Sequence, residues 1–337
     1  MNNNSSHEFY MSRCIEIAKK GIGTTFPNPC VGCLIVYNNK IISEAFSSNY
    51  GGNHAEINAI QNVEEKKILK KSTLYVTLEP CSHFGKTPPC CNAIINYKIP
   101  NVVIGTLDNS SKVNGNGIRL LKKNKINVIK GVLEKECKEL HKVFLHFNKN
   151  RRPFIILKWA QSKDKIIAPL IKEKTEPYWI TSKISRQLVH KWRSEEHGIL
   201  IGHDTVISDN PTLNIRNWKG INPIRIVIDL KNDLKKTYNV FNNQANTIKI
   251  IDKNIDNSKS LSAEVSNFLF KKKIQSVIIE GGKKTLQEFI KNNLWDEARI
   301  FTNKKKMNKG LKAPIINGKI ISEKIIGNDK LEILKPN

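Results

Sequence analysis

The chain has 337 residues, 39% of them hydrophobic, and a formal net charge of +26. That length suits two domains that each bury a core, and no apolar run approaches the roughly 18 to 20 residues of a membrane span. The positive charge singles out no nucleic-acid surface: residues 1–150 carry 20 Lys+Arg against 11 Asp+Glu and the rest carry 36 against 19, an even spread that favours composition, or a bias toward phosphate-bearing small molecules, over a dedicated patch.

Met1–Phe9 is polar and lacks a basic stretch followed by an apolar one, so no signal peptide is read there and a cytoplasmic location is expected. Tyr10, Cys14, Ile17 and Ala18 give a helical spacing that Gly21 ends. Val31–Tyr37 and Ile41–Phe46 flank Asn38-Asn39-Lys40 as the strands of a hairpin do. Next come a helix from His54 to about Asn62, a strand over Thr73–Leu78, a Pro/Cys-rich loop and a helix from about Pro89 to Tyr97. Strands over Val102–Leu107 and Asn127–Lys130 and a helix over Glu134–Phe147 follow. The segment from Asn148 to Pro153 is polar, charged and closed by proline, the best linker in the chain. Domains of residues 1–148 and 153–337, joined by about 149–152, are expected.

The pattern restarts with a strand over Phe154–Trp159 and a helix of about Lys183–Ser194 capped by Thr181 or Ser182. Ile199–Ile201, Ile224–Ile228, Thr247–Ile251 and Val277–Ile279 read as strands, with helices over Ser260–Phe270 and Lys284–Asn293. Strands separated by helices imply α/β sheets covered on both faces. The halves show no internal repeat.

The sharpest chemical signal is Asn53-His54-Ala55-Glu56 followed by Glu79-Pro80-Cys81 and Pro88-Pro89-Cys90. One imidazole and two thiolates suit zinc, and three protein ligands leave a fourth position for water, whose pKa then falls toward about 7. Hydrolytic deamination also needs a group to carry protons, and Glu56, two residues after His54, is placed for that. The pattern is a known zinc-deaminase signature. A lone His-Ala-Glu is commonly a cap or surface feature and a lone Pro-Cys is commonly core; their joint occurrence outweighs both. Seven cysteines form no even set, and metal ligation is a better use than disulfides for the spaced ones. Cys30 and Cys33 have metal-like spacing but no second pair nearby, and Cys33 lies in an apolar strand; burial is the expectation for both. Cys91, Cys14 and Cys137 are expected to pack.

The eight residues between Cys81 and Cys90, including His83, Gly85, Lys86 and Thr87, depart from the tight P-C-x-x-C of tRNA and pyrimidine nucleoside deaminases. This long form resembles the bifunctional deaminase/reductase family of riboflavin biosynthesis. So do Pro27-Asn28-Pro29-Cys30-Val31-Gly32-Cys33, Trp179-Ile180-Thr181-Ser182, Asp209-Asn210-Pro211, Ile224–Asp229 and Glu280-Gly281-Gly282, together covering roughly residues 8 to 303. The resemblance implies a cytidine-deaminase-like α/β/α sandwich followed by a dihydrofolate-reductase-like α/β domain. The first would deaminate 2,5-diamino-6-ribosylamino-4(3H)-pyrimidinone 5′-phosphate through zinc-bound hydroxide; the second would use NADPH to reduce the product's ribosyl group to ribityl.

By the same resemblance His54, Cys81 and Cys90 hold one Zn²⁺ per chain, Glu56 shuttles protons, and Asn28, His83, Lys86 and Asp108 line the deaminase pocket. Lys158, Arg193, Leu213, Arg216 and Glu280 would meet the reductase substrate, with Arg193 and Arg216 as phosphate forks. Ala160, Trp179, Thr205, Asp209, Gly282, Lys283, Lys284, Thr285 and Leu286 would meet the cofactor, its phosphates at a glycine-led helix start. Small phosphorylated pyrimidines are the expected partners, with no nucleic acid and no membrane, and a homo-oligomer is expected. The chain departs from the family where Asp108-Asn109-Ser110-Ser111 replaces D-P-N-P, where Lys165 replaces a glycine, where Pro177 replaces a serine, and over Thr302–Lys306. Two rivals remain: a tRNA or nucleobase deaminase with an accessory basic domain, and a non-catalytic nucleotide- or RNA-binding protein with structural zinc. The cysteine spacing opposes the first, and Glu56 opposes the second.

Overall fold

The computed structural model describes residues 3–110, 113–173, 175–256 and 258–337, so Ser111 lies outside the described residues. Two compact units are formed, residues 1–151 and 152–337.

The first unit runs α1 (Asn3–Lys19), β1 (Gly32–Tyr37), β2 (Lys40–Phe46), α2 (Ala55–Asn62), β3 (Thr73–Leu78), α3 (Cys90–Asn96), β4 (Asn101–Thr106), α4 (Asn116–Lys123), β5 (Asn127–Lys130), α5 (Glu134–Leu140) and α6 (Lys142–Asn150). Its five strands lie in the order β2-β1-β3-β4-β5. β1 is antiparallel to β2 and β3, while β3, β4 and β5 are parallel. Asn38 and Asn39 turn the hairpin with φ of 48° and 59°, a left-handed pair that asparagine tolerates and that matches strand twist. Along β3, Leu74, Val76 and Leu78 enter one buried cluster with α2 and α3 residues, and Tyr75 enters another with Met11, Cys14 and Cys137. Alternation thus buries both faces of the sheet.

Two expectations need correction. The segment from Glu134 to Phe147 is two helices, broken at His141, whose buried imidazole reaches Thr77 Oγ1 on β3 at 3.1 Å. The polar run from Asn148 is still helical through Asn150, with Asn148 Nδ2 bonded to Phe144 O, and Arg151 ends it at φ 52°.

The second unit runs β6 (Phe154–Gln161), β7 (Ile166–Ala168), α7 (Lys183–Glu195), β8 (Gly198–Gly202), α8 (His203–Asp209), β9 (Ile224–Ile228), β10 (Thr247–Ile250), α9 (Leu261–Lys271), β11 (Ser276–Ile279), α10 (Lys283–Lys291), β12 (Glu297–Asn303), β13 (Leu311–Lys312), β14 (Lys319–Ile326) and β15 (Asp329–Lys335). Eight strands lie in the order β10-β9-β8-β11-β6-β12-β15-β14. The first six are parallel, and the β14–β15 hairpin adds an antiparallel edge. Ser182, rather than Thr181, caps α7 by accepting from Ser185 N at 3.3 Å. From β8 the chain proceeds outward to β9 and β10, whereas β11 is followed by β12 on the far side of β6. The loops therefore diverge between β8 and β11, the position where open α/β sheets leave a crevice for ligands.

Candidate active sites

In the first unit the ends of parallel strands bring three segments together. His54 precedes α2, Cys81 follows β3, and Cys90 opens α3. His54 Nδ1 lies 3.5 Å from Cys81 Sγ and 3.3 Å from Cys90 Sγ, and one ligand atom from each residue fits within 4.8 Å of the others. The loop base is closed by backbone bonds: Cys90 N donates to Cys81 Sγ at 3.3 Å and Cys91 N to Cys81 O at 3.1 Å. The hydrogen bond from Cys81 raises the His54 imidazole to about 9, while the Cys90 and then the His54 hydrogen bonds drive the Cys81 thiol down. A borderline-soft cation that displaces those protons suits this set, and three donors leave one tetrahedral position for water.

Glu56 sits in the first turn of α2, 4% exposed. Burial, and then the charge of Cys81, pushes its carboxyl up to about 7, and it hydrogen-bonds the Cys90 thiol. An acid that titrates near neutrality can both take and return a proton.

Asp108 is buried, and burial raises its carboxyl although its Oδ1 accepts from Ser110 N at 2.7 Å. His83 Nδ1 is buried with no partner among the described residues. Asn28 is half-buried; Lys86 is exposed, its Nζ 4.0 Å from the Tyr50 ring centroid, where the ring face holds the cation. Cys33, Cys91, Cys14 and Cys137 are buried; Cys30 is half-buried and donates to Ala18 O at 2.5 Å.

In the second unit Lys158 on β6, Arg193 on α7 and Glu280 after β11 form one half-buried group. Arg193 Nε and Nη2 donate to the two Glu280 oxygens at 2.8 and 2.9 Å, and Lys158 Nζ lies 3.4 Å from Oε2. Burial alone would raise Glu280, but Arg193 and Lys158 outweigh it and hold the carboxyl down at about 2. Arg193 is thus engaged with Glu280 and Asn214 O, while Arg216 is exposed and its charge is felt by His190 together with that of Arg193. Leu213 is buried at φ 53°, a left-handed conformation unusual for leucine.

At the β8–β11 crevice a Cβ on Gly281 would stand 2.6 Å from Ile201 Cα, and one on Gly202 2.5 Å from Thr285 Oγ1. Gly282 N donates to Thr205 Oγ1 at 2.9 Å. Glycine is required for this approach of two helix starts, whose amides and dipoles favour phosphate. Lys283 and Lys284 begin α10, Lys284 pairing with Asp204 at 2.9 Å, while Leu286 points into the core and offers only backbone. Asp209 pairs with Lys172, Trp179 stacks on Arg186 at 4.6 Å, and Ala160 is half-buried on β6. Lys165, in place of the family's glycine, adopts φ 60°, so the turn after β6 keeps the conformation a glycine would give it. His203, Asp229 and Asp233 also cluster, but Lys249 and two backbone amides already occupy the Asp229 carboxylate.

Sequence reasoning gave no role to Glu79. The signal was present: a charged residue ending an apolar strand directly before a ligand.

Residues 4–106 match the family "Cytidine and deoxycytidylate deaminase zinc-binding region", and residues 153–306 match "RibD C-terminal domain". The chain is 38% identical to riboflavin biosynthesis protein RibD of Aquifex aeolicus over 90% of its length and 88% of that protein. It is 53% identical to the diaminohydroxyphosphoribosylamino-pyrimidine deaminase of Buchnera aphidicola subsp. Schizaphis graminum over 40% of its length and 91% of that protein. The crystal structure of a diaminohydroxyphosphoribosylaminopyrimidine deaminase/5-amino-6-(5-phosphoribosylamino)uracil reductase from Thermotoga maritima superposes with a TM-score of 0.89, 35% identity and complete coverage of both chains. The cytidine-deaminase-like and dihydrofolate-reductase-like fold expectation agrees with these likenesses.

Proposed function

The chain belongs to the RibD family, the bifunctional deaminase/reductases of riboflavin biosynthesis, and from that premise we propose a residue-level account of both activities. Residues 1–148 deaminate 2,5-diamino-6-ribosylamino-4(3H)-pyrimidinone 5′-phosphate, and residues 153–337 reduce the ribosyl group of the deaminated product with NADPH. The convergence of His54, Cys81 and Cys90 beside the buried acid Glu56 carries this reading.

Zinc, when bound by those three side chains, supplies the Lewis acidity that makes water a nucleophile near neutral pH. Glu56 holds the proton taken from that water and delivers it to the departing amine. Its titration near 7 lets it do both. Asp108 and His83 orient the ring from the pocket wall, and Lys86 faces the phosphate. NADPH, when bound, supplies hydride; the Gly281-Gly282 crevice and the start of α10 receive its phosphates, with Thr205, Asp209, Trp179 and Ala160 beside it. Lys158 faces the ribose, held by Glu280, while Arg216 offers its free guanidinium to the phosphate. Substrates confined to small phosphorylated pyrimidines, a cytoplasmic location and a homo-oligomeric state complete the proposal. Among the described residues no helix is long and apolar enough to cross a membrane.

A coupled assay tests it. The diaminopyrimidinone phosphate should release one equivalent of ammonia per molecule, followed by NADPH oxidation that depends on deamination. No ammonia from this compound would sink the first activity; ammonia without oxidation of NADPH or NADH, on folded protein, would sink the second.

A further inference from the structure

Glu79 directly follows β3, two residues before Cys81, and is 4% exposed. Its Oε2 accepts from Gly115 N at 3.1 Å and Asp108 N at 3.4 Å, and its Oε1 from Ile118 N at 3.2 Å. Among the described residues it has no ionic partner, so backbone amides alone solvate this carboxylate. Such charge-assisted bonds are roughly twice as strong as neutral ones, and a buried carboxylate demands them. Two further contacts seal the junction. Cys91 Sγ lies 3.4 Å from Pro80 O and 3.7 Å from Gly117 O, and a Cβ on Gly117 would stand 2.2 Å from Pro80 O. Asp108 and the start of α4 are therefore fastened to the strand end that precedes Cys81.

We propose that Glu79 is a positioning residue for deamination, a three-amide clamp that sets Asp108 and its loop at a fixed distance from the metal ligands. This rests on the proposed deaminase reading, in which Asp108 lines the substrate pocket. Glu79 touches neither substrate nor metal and acts only through that loop. Glutamine keeps the size but must turn its NH₂ toward an amide that needs an acceptor. Aspartate keeps the charge on a shorter stem.

The test compares wild type with E79Q, E79D, D108A and E79Q/D108A, all carrying zinc. E79Q should raise KM on the order of ten-fold with kcat changed far less and about one zinc retained per chain, and E79D should recover part of the loss. In the D108A background E79Q should add little, because residues acting as one unit are not additive. Amide hydrogen exchange should quicken at Gly115 and Ile118 in E79Q and stay unchanged in α2. An unchanged KM, additive losses, or loss of zinc in parallel with activity would overturn the clamp. Should wild type release no ammonia, the deaminase reading fails on its own, and hydrogen exchange still judges the clamp: unaltered exchange at Gly115 and Ile118 overturns it.

Discussion

The two units solve the problem of a buried polar site in opposite ways. Around Glu280 the chain supplies its own counter-ions, one carboxylate gripped by the Arg193 guanidinium with the Lys158 ammonium alongside. Around Glu56 the described residues supply two sulfurs, an imidazole and a buried acid with no lysine or arginine paired to them. An ion-paired cluster is held in place before any ligand arrives; a donor-rich one relies on an external cation to fix its charge state. The lesson is that one polypeptide carries a site that is preorganised and a site that is conditional.

Four measurements put that contrast to the test. The largest effect is expected at Glu56: Glu56→Gln should cut deamination by about 10² to 10⁴-fold while elemental analysis still finds about one zinc per chain. Unchanged turnover would remove the proton-carrying role and half of the comparison. Next is Glu280→Gln, which leaves two cations without their anion. A loss of about 3–5 kcal/mol in unit-two stability is expected, read by denaturant unfolding, with the deaminase rate untouched; a loss below 1 kcal/mol would mean that the ion pairs do not hold the cluster.

Gly281→Ala comes third. With a Cβ 2.6 Å from Ile201 Cα, the β8–β11 crevice must open, at about 1–3 kcal/mol, and NADPH binding by fluorescence titration should weaken. Unaltered affinity would move the cofactor elsewhere. The last measurement is of pH. Burial holds His141 of unit one at about 3, and His190 and His197 of unit two at about 4, against an ordinary 6.5. The unfolded chain then binds more protons, so stability is full above about 6.5 and falls as acid is added toward 3–4. Glu280 extends the loss in unit two, since its contribution is present above about 4.5 and vanishes as pH drops to about 2. Identical acid profiles for both units would contradict this.

Much of this was legible in the sequence because strands and ligands announce themselves locally. β3 and β5 match their predicted bounds, and His54, Cys81 and Cys90 were found from motif spacing alone. What was missed depends on distant partners. β12 carries Arg299, whose charge interrupts an apolar pattern that would otherwise read as a strand and is met inside the protein by Glu196, 103 residues away, at 3.5 Å. Nothing near His141 predicts that its ring will meet Thr77, 64 residues away, where one helix ends and the next begins. The β14–β15 hairpin, by contrast, did leave a trace, an isoleucine-rich run before Gly327 and an alternating apolar run after it, and the amide clamp on Glu79 left only a charge in an apolar context.

The bonds from Cys90 and Cys91 back to Cys81 join the two ends of the segment from Ser82 to Pro89 beneath its exposed tip. Geometry at the stem is thereby insulated from composition at the crown. A change at the exposed crown, Phe84 to Lys86, can therefore alter what the loop meets while the sulfurs stay where they are.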